Sequence, residues 1–170
     1  MISNGAYMGN KAVSNTGPII HLTEIDLIKS FDIFSLLFVP EEVVRELNRN
    51  KIPIPKKINV SKLTAASKNQ TKLLTNQYDL DLGEAEAIAL THQEKADYFL
   101  TDDLDARNVA ITHSIKTRGT IGIISRAFRE KIISKETAIS KVRELQNKSS
   151  LFITQDLINE ILGAINNFKR

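Results

Sequence analysis

Residues 81–107 read DLGEAEAIALTHQEKADYFLTDDLDAR, and this stretch contains a helix, a strand and the start of a second helix. Asp81 followed by Glu84 predicts a capping box at the start of the first helix. An apolar stripe then follows at helical spacing: Ala85, Ile88 and Ala89. The short apolar run from Tyr98 to Leu100 predicts a buried strand. Alternation of helix and strand favours a parallel sheet with helices on both faces.

The residues before this stretch continue the alternation. Pro40 suits the first turn of a helix, because proline lacks only an N–H that would be unpaired there. Two prolines and four basic residues in 49–57 predict a loop. The predicted elements are a strand over Lys11–Asn15 ending in a turn at Thr16–Pro18, a helical region over 19–34 broken near Asp26, a strand over Leu36–Val39, a helix over 41–48, a strand over Ile58–Leu63 and partial helix in 64–80.

The residues after it add helices over Leu104–His113 and Thr120–Glu130, with a strand over Ile115–Thr117 between them. Two C-terminal helices follow, with Ser134 and Thr154 as their N-caps. The second carries an apolar stripe that we expect to be buried: Leu157, Ile158, Ile161, Leu162 and Ile165. We therefore predict an α/β three-layer fold in one domain over residues 1–170, with a core over 11–130 and a helical extension over 131–170.

Composition excludes several kinds of protein. A hydrophobic fraction of 42% in 170 residues is enough for a core and excludes a disordered chain. The chain has no cysteine, which excludes disulfides and thiolate sites. There is no apolar run of roughly 20 residues, and Met1–Asn10 lacks the apolar core of a signal peptide, so we expect a cytoplasmic protein without a membrane partner. The net charge of +3 favours polyanionic partners only slightly.

Acidic and polar residues follow the predicted strands. Ligands of an open parallel sheet bind at the carboxyl ends of its strands. These positions carry Asn15 and Thr16, then Asp102, Asp103 and Asp105, and the neighbouring helices add Glu46, Glu84 and Glu86. Clustered carboxylates need a cation, and oxygen ligands of this kind suit Mg²⁺ or Mn²⁺. Such a site hydrolyses phosphodiesters.

Each acid also has a purely structural interpretation. Glu84 would only cap its helix, Glu86 would lie on a solvated face, and Asp102 and Asp105 would start a helix, where acids are favourable. Glu46 would pair with Arg45 or Arg49. Asp103 is the hardest to explain in this way, because a metal ligand is expected at a strand end. The three histidines show no metal-ligand spacing and are interpreted as ordinary residues: His21, His92 and His113.

Four ordered segments resemble PIN domains: VSNTGPII at 13–20, PEEVVREL at 40–47, GEAEAIAL at 83–90 and LTDDLDAR at 100–107. A fifth, Gly119–Gly122, resembles the segment that closes the core of that family. The resemblance implies a Rossmann-like fold and a metal-dependent ribonuclease that cuts RNA. It also implies a relation to VapC-like toxins, with an antitoxin protein as partner, and a homo-oligomer.

The resemblance also implies site residues. The catalytic set is Asn15, Glu46, Glu84 and Asp103; the metal ligands are Asn15, Glu84, Asp102, Asp103 and Asp105. Apart from the resemblance, we expect Thr16 to position a ligand or a water at the substrate site, and the basic Arg107 and Arg118 near the crevice to contact phosphates. Glu84 and Glu86 lie about 200° apart on a helix, so both cannot face one metal, and Glu84 is favoured. The family's first acid is Asn15 here, through natural degeneration or an engineered change. We expect the neutral amide to attenuate activity.

Two other functions are considered. A catalytically weak PIN-like module would act in RNA binding or protein–protein interaction, using the apolar C-terminal stripe. A small-molecule enzyme is disfavoured, because the chain has neither a Gly-x-Gly-x-x-Gly motif nor a Gly-Lys-Ser/Thr phosphate loop.

Overall fold

The computed structural model describes residues 10–169 and contains a five-stranded parallel sheet. The strands are β1 (Lys11–Ser14), β2 (Leu36–Pro40), β3 (Ile58–Ser61), β4 (Tyr98–Leu100) and β5 (Thr117–Arg118). Their order across the sheet is β3-β2-β1-β4-β5, and Val13 of β1 lies beside Phe38 of β2 and Phe99 of β4. The predicted α/β fold with a parallel sheet is confirmed. The expectation for Met1–Asn10 falls almost entirely outside the described residues.

Eight α-helices connect and cover the strands in the described part of the chain. They are α1 (Thr16–Glu24), α2 (Glu41–Arg49), α3 (Ala65–Gln77), α4 (Leu82–Gln93), α5 (Leu104–Thr112), α6 (Thr120–Arg129), α7 (Lys135–Lys148) and α8 (Gln155–Asn167). A 3₁₀ helix spans Ile28–Ile33. The break predicted near Asp26 is confirmed, since that residue has a positive φ of 53°. Ser134 and Thr154 cap α7 and α8 as predicted.

The hydrophobic core has one half on each face of the sheet. Because successive strand residues point to opposite faces, Ala12 joins one half and its neighbour Val13 joins the other. The first half includes buried residues of α1, α2, α6, α7 and α8, and the second those of α3, α4 and α5. The helices therefore form a layer on each side of the sheet, which leaves the ends of the strands open.

The apolar stripe of α8 is only partly buried. Ile158, Ile161 and Ile165 pack into the first half of the core, whereas Leu162 is partly buried and Leu157 is 40% exposed. Each α-helix described, from α1 to α8, is too short or too polar to cross a bilayer.

Helix ends explain three differences from the predicted elements. The turn predicted at Thr16–Pro18 is instead the first turn of α1, where proline is tolerated. The strand predicted over Ile115–Thr117 begins only at Thr117, because Ser114 takes a positive φ of 60° and the N–H of Ile115 donates to the carbonyl of Ala110 at 3.0 Å. This bond closes the end of α5 in a Schellman arrangement. Pro40 is the N-cap of α2 rather than a residue of its first turn.

Candidate active site

The carboxyl ends of β1 and β4 meet at one edge of the sheet. The backbone N–H of Asn15, just after β1, donates to the carbonyl of Leu100 at the end of β4 at 2.8 Å. Asn15 is 8% exposed and is the N-cap of α1, since its side-chain oxygen accepts from the N–H of Thr16 at 2.8 Å. The amide that replaces the expected acid is therefore fixed at the edge where the other polar residues emerge.

Thr16 links this edge to α2. Its buried hydroxyl donates to a carboxylate oxygen of Glu46, so it orients that side chain. Burial raises the pKa of Glu46; the Thr16 bond opposes this, and the nearby carboxylates of Asp81 and Glu42 raise it further. Thr16 was predicted as a substrate contact, but the structure places its hydroxyl against Glu46.

Glu46 also lies against the start of α4. A Cβ added at Gly83 would overlap the Glu46 carboxylate, so only glycine, which has no Cβ, leaves room for this acid. The structural alternative, in which Glu46 pairs with Arg45 or Arg49, is not observed: Arg45 donates to Glu42 at 2.8 Å and Arg49 to Glu42 at 3.0 Å. Glu46 therefore faces the sheet edge instead of these arginines.

Glu84 is the most buried carboxylate at this edge, with 9% exposure. The capping box predicted for α4 is confirmed: the N–H of Glu84 donates to Asp81 at 2.8 Å, and the N–H of Asp81 donates to Glu84 at 3.0 Å. The pKa of Glu84 is raised to about 7, mainly by burial; the Asp81 hydrogen bond opposes the rise, and the charges of Asp81, Asp103 and Glu46 add to it. These acids, from three separate segments, therefore lie within electrostatic range of one another.

Glu86 lies elsewhere. It accepts from the backbone N–H of Glu42 at 3.2 Å and lines a separate hollow with Glu41 and two lysines, Lys62 and Lys68. The two glutamates of α4 thus point to different surroundings, as their spacing on a helix requires.

Asp103 and Asp105 are both exposed at the start of α5. Asp103 is the N-cap: one of its oxygens accepts from the N–H of Ala106 at 2.8 Å, and its own N–H donates to the Thr101 hydroxyl at 3.1 Å. Asp105 follows in the first turn and lines a hollow with Tyr78 and Asn108. Of the two, Asp103 is the one whose charge acts on Glu84.

Asp102 takes part in a different network. Its carboxylate contacts His21 Nδ1 at 2.7 Å and accepts from the N–H of Thr120 at 2.7 Å and from the Thr120 hydroxyl at 2.5 Å. Burial alone would raise the pKa of Asp102, but the hydrogen bonds from His21 and Thr120 outweigh it, so the pKa is lowered. The carboxylate ties α1 and α6 to the end of β4, and its oxygens are already bonded.

The two arginines predicted as substrate contacts lie next to Gly119. The Nη2 atom of Arg107 donates to the carbonyl of Thr101 at 3.3 Å, and its Nε is buried without a hydrogen-bond partner in the described part of the chain. Arg118 is exposed, and its guanidinium lies 4.9 Å from the ring centroid of Tyr98. Both line a groove beside Asp102.

Comparison with known families now adds to this geometry. A family model described as a PIN domain matches residues 11–167. The chain belongs to the PIN-domain family. PIN domains are generally metal-dependent nucleases, so the family assigns this chain to a nuclease-type module. A search of curated proteins found no match.

The acidic edge of this PIN domain carries oxygen donors of the kind that bind a divalent cation. Across residues 10–169, no group of three His, Asp or Glu side chains is close enough to hold a metal as it stands. Over the same residues, no lysine or arginine forms a salt bridge with Glu46, Glu84 or Asp103. No basic side chain therefore pairs with these carboxyl groups when they ionise, and oxygen donors of this type fit Mg²⁺ or Mn²⁺. The chemistry fits a cation, although each carboxylate holds a hydrogen bond of its own.

Sequence reasoning missed two partners at this edge of the PIN domain. His21 was set aside because it lacked metal-ligand spacing, yet it contacts a carboxylate 81 residues away. Thr120 was predicted only as the start of a helix. Residue spacing in the sequence predicts neither contact, because Asp102 follows β4 whereas His21 and Thr120 lie on helices that meet the end of β4 only in the folded chain.

Proposed function

We propose that this PIN domain is a metal-dependent ribonuclease that hydrolyses RNA phosphodiester bonds. The proposal is supported by one observation above all: Glu46, Glu84 and Asp103 come from three separate segments to one edge of the sheet, where Glu46 lies against Gly83 at the start of α4 and the charges of Glu46 and Asp103 act on the buried Glu84. Each of these acids has a local hydrogen bond, but none forms a salt bridge with a lysine or arginine in the described part of the chain. They are the expected surroundings of a cation that binds phosphate.

The groups that would hold Mg²⁺ or Mn²⁺ are Glu84, Asp103, Glu46 and the amide oxygen of Asn15. A bound ion of this kind supplies hydroxide near neutral pH and offsets charge on the phosphate. The chain's own residues prepare the site, because Thr16 orients Glu46 and the Asp81 capping box orients Glu84. Asp102 and Asp105, first predicted as ligands, are left out of this set, since one is bonded to His21 and Thr120 and the other lines a separate hollow.

The test is cleavage of structured and unstructured RNA by purified protein with Mn²⁺. Asp103→Asn should abolish cleavage, and the fold should survive because asparagine is an equally good N-cap. Asp105→Asn makes the same change two residues away on the same helix and should leave cleavage unchanged. Glu84→Gln and Glu86→Gln form a second matched pair on α4, of which only the first should lose activity. Equal loss in both members of either pair contradicts the proposal.

Asn15 is the main departure from an acidic site. We expect low activity in this sequence, because a neutral amide oxygen ligates Mg²⁺ but does not help to hold its charge. Asn15→Asp should therefore increase cleavage. RNA binding without cleavage, even after Asn15→Asp, would instead favour the catalytically weak binding module.

The proposed biological role is the toxin of a toxin–antitoxin pair in the cytoplasm, with an antitoxin protein as partner. Its support is the family resemblance. Expression should arrest growth more strongly for Asn15→Asp than for Asn15→Asp combined with Asp103→Asn. A small adjacent gene whose product relieves the arrest would identify the antitoxin, and equal growth of both strains would refute the toxin role.

A further inference from the structure

A groove with a volume of about 550 Å³ opens beside the carboxyl end of β4. One wall is formed by the starts of α5 and α6 and includes Gly119 and Asp102, the sequence neighbour of Asp103. The other wall is the loop between α7 and α8, including Leu151 and Phe152. A groove of this volume is large enough for a nucleotide-sized ligand.

Phe152 is the most exposed large hydrophobic residue in the described part of the chain, with 88% of its surface accessible. It lies between α7 and α8 and faces a groove that also holds the partly exposed Leu157 and the 69% exposed Leu104. An aromatic ring left in water at the rim of a groove is costly and can stack on a planar ligand.

The charged side chains that line the groove are mainly positive. Arg107 and Arg118 line it, and the only acid among its described lining residues, Asp102, is already bonded to His21 and Thr120. Arg107 lies four residues after Asp103, the N-cap of α5, so both residues belong to the start of that helix. The buried Nε of Arg107 also has no hydrogen-bond partner among residues 10–169.

We propose that this groove binds single-stranded RNA next to the cleavage point, with a base stacked on Phe152 and a phosphate on Arg107. The proposal rests on the nuclease function proposed above and names its substrate class. Cationic side chains give affinity for the backbone, and an aromatic ring accepts any unstacked base. In a duplex the bases are stacked on one another, so a double strand should not reach Phe152.

The chain contains no tryptophan, which allows a direct optical test. Phe152→Trp introduces a single indole in the groove, and Leu73→Trp introduces one at a 66% exposed position on α3 as a control. Both are made in the Asp103→Asn background with Mn²⁺, so that RNA is bound but not cut. A single-stranded RNA of about ten nucleotides, within the site sizes of single-strand binders, should quench indole fluorescence only in the Phe152→Trp protein. The matching duplex should quench neither protein.

Affinity gives a second measurement on the same RNA. Phe152→Ala should weaken binding about 5- to 100-fold, the range measured when stacking aromatics are removed. Arg107→Gln should reduce the slope of log affinity against log salt by about 1, whereas Arg129→Gln, an exposed arginine at the end of α6, should not.

Each result separates this inference from the proposed function. If RNA is cut but neither quenching nor affinity depends on Phe152, the groove proposal is overturned and the nuclease remains. If Phe152→Trp is quenched and no variant cleaves RNA, the groove stands and the nuclease proposal fails. If RNA affinity is unchanged in Phe152→Ala while a protein partner binds over Phe152, the groove is a protein interface and the proposal is also overturned.

Discussion

Glu84→Gln should stabilise the metal-free protein at alkaline pH. The pKa of Glu84 is raised from 4.5 to about 7, first by burial and then by neighbouring acids. A pKa change of this size corresponds to about 3 kcal/mol between the two protonation states. Glutamine keeps the side-chain oxygen that accepts from the N–H of Asp81, so the capping box is retained.

The sign of the pH dependence follows from the direction of the shift. Below the ordinary value of 4.5 the carboxyl is protonated in both the folded and unfolded states, so Glu84→Gln should change the free energy of unfolding little. Between 4.5 and about 7 the unfolded state ionises first, and the wild-type chain loses stability relative to the variant. Above about pH 7 the full difference of about 3 kcal/mol should be present.

The assay is urea unfolding in EDTA at intervals from about pH 4.5 to about pH 8.5, with the difference between variant and wild type taken at each pH. Glu136→Gln is the control, because it removes an exposed carboxylate from the first turn of α7. A difference for Glu84→Gln that stays constant with pH would refute the argument that this carboxylate is held in its protonated form.

Two further substitutions test contacts at the same edge. Gly83→Ala should lower both stability and cleavage, because the added Cβ overlaps the Glu46 carboxylate. Gly163→Ala in α8 is the control, since no atom lies within 4 Å of its added Cβ. This change should raise the free energy of unfolding by about 0.5–1 kcal/mol. Thermal melts of both variants check this, and equal effects would contradict it. Asp102→Asn should cost about 1.5–3 kcal/mol in urea unfolding at neutral pH, because it weakens the bonds to His21 and Thr120. Since the pKa of Asp102 is lowered by folding, this cost should shrink as the pH falls below the ordinary aspartate range, and a cost that persists in acid would refute it.

Local signals in the sequence predicted local structure well. The capping box of Asp81 and Glu84 and the N-caps Ser134 and Thr154 depend on residues three apart, and all are confirmed. The alternation of strands and helices was enough for a parallel sheet. The prediction failed at Ile115, where an apolar residue that favours a strand is used to close the end of α5.

The candidate site was less accessible to sequence reasoning. Placing Glu46, Glu84 and Asp103 at one edge required the strand order β3-β2-β1-β4-β5, whereas the sequence predicted only that the sheet is parallel. Asp102 bonds to His21 and Thr120, whereas Asp103 caps α5. This difference could not be predicted, because two adjacent aspartates look alike in the sequence and only the fold determines which helix each side chain faces. The contact of Asp102 with His21 spans 81 residues and leaves no local pattern.

The C-terminal helices share one hydrophobic core with the sheet, and this affects how the protein unfolds. Val142, Ile158 and Ile161 pack into the same cluster as Ala12 and Leu22, so the last two helices are part of the same cooperative body as the sheet. Protease cleavage between α6 and α7, followed by loss of the C-terminal helices, would expose that cluster to water. We therefore expect the sheet to unfold as well, so that no active fragment is released. The geometry of the acidic edge therefore depends on helices that lie at the far end of the chain.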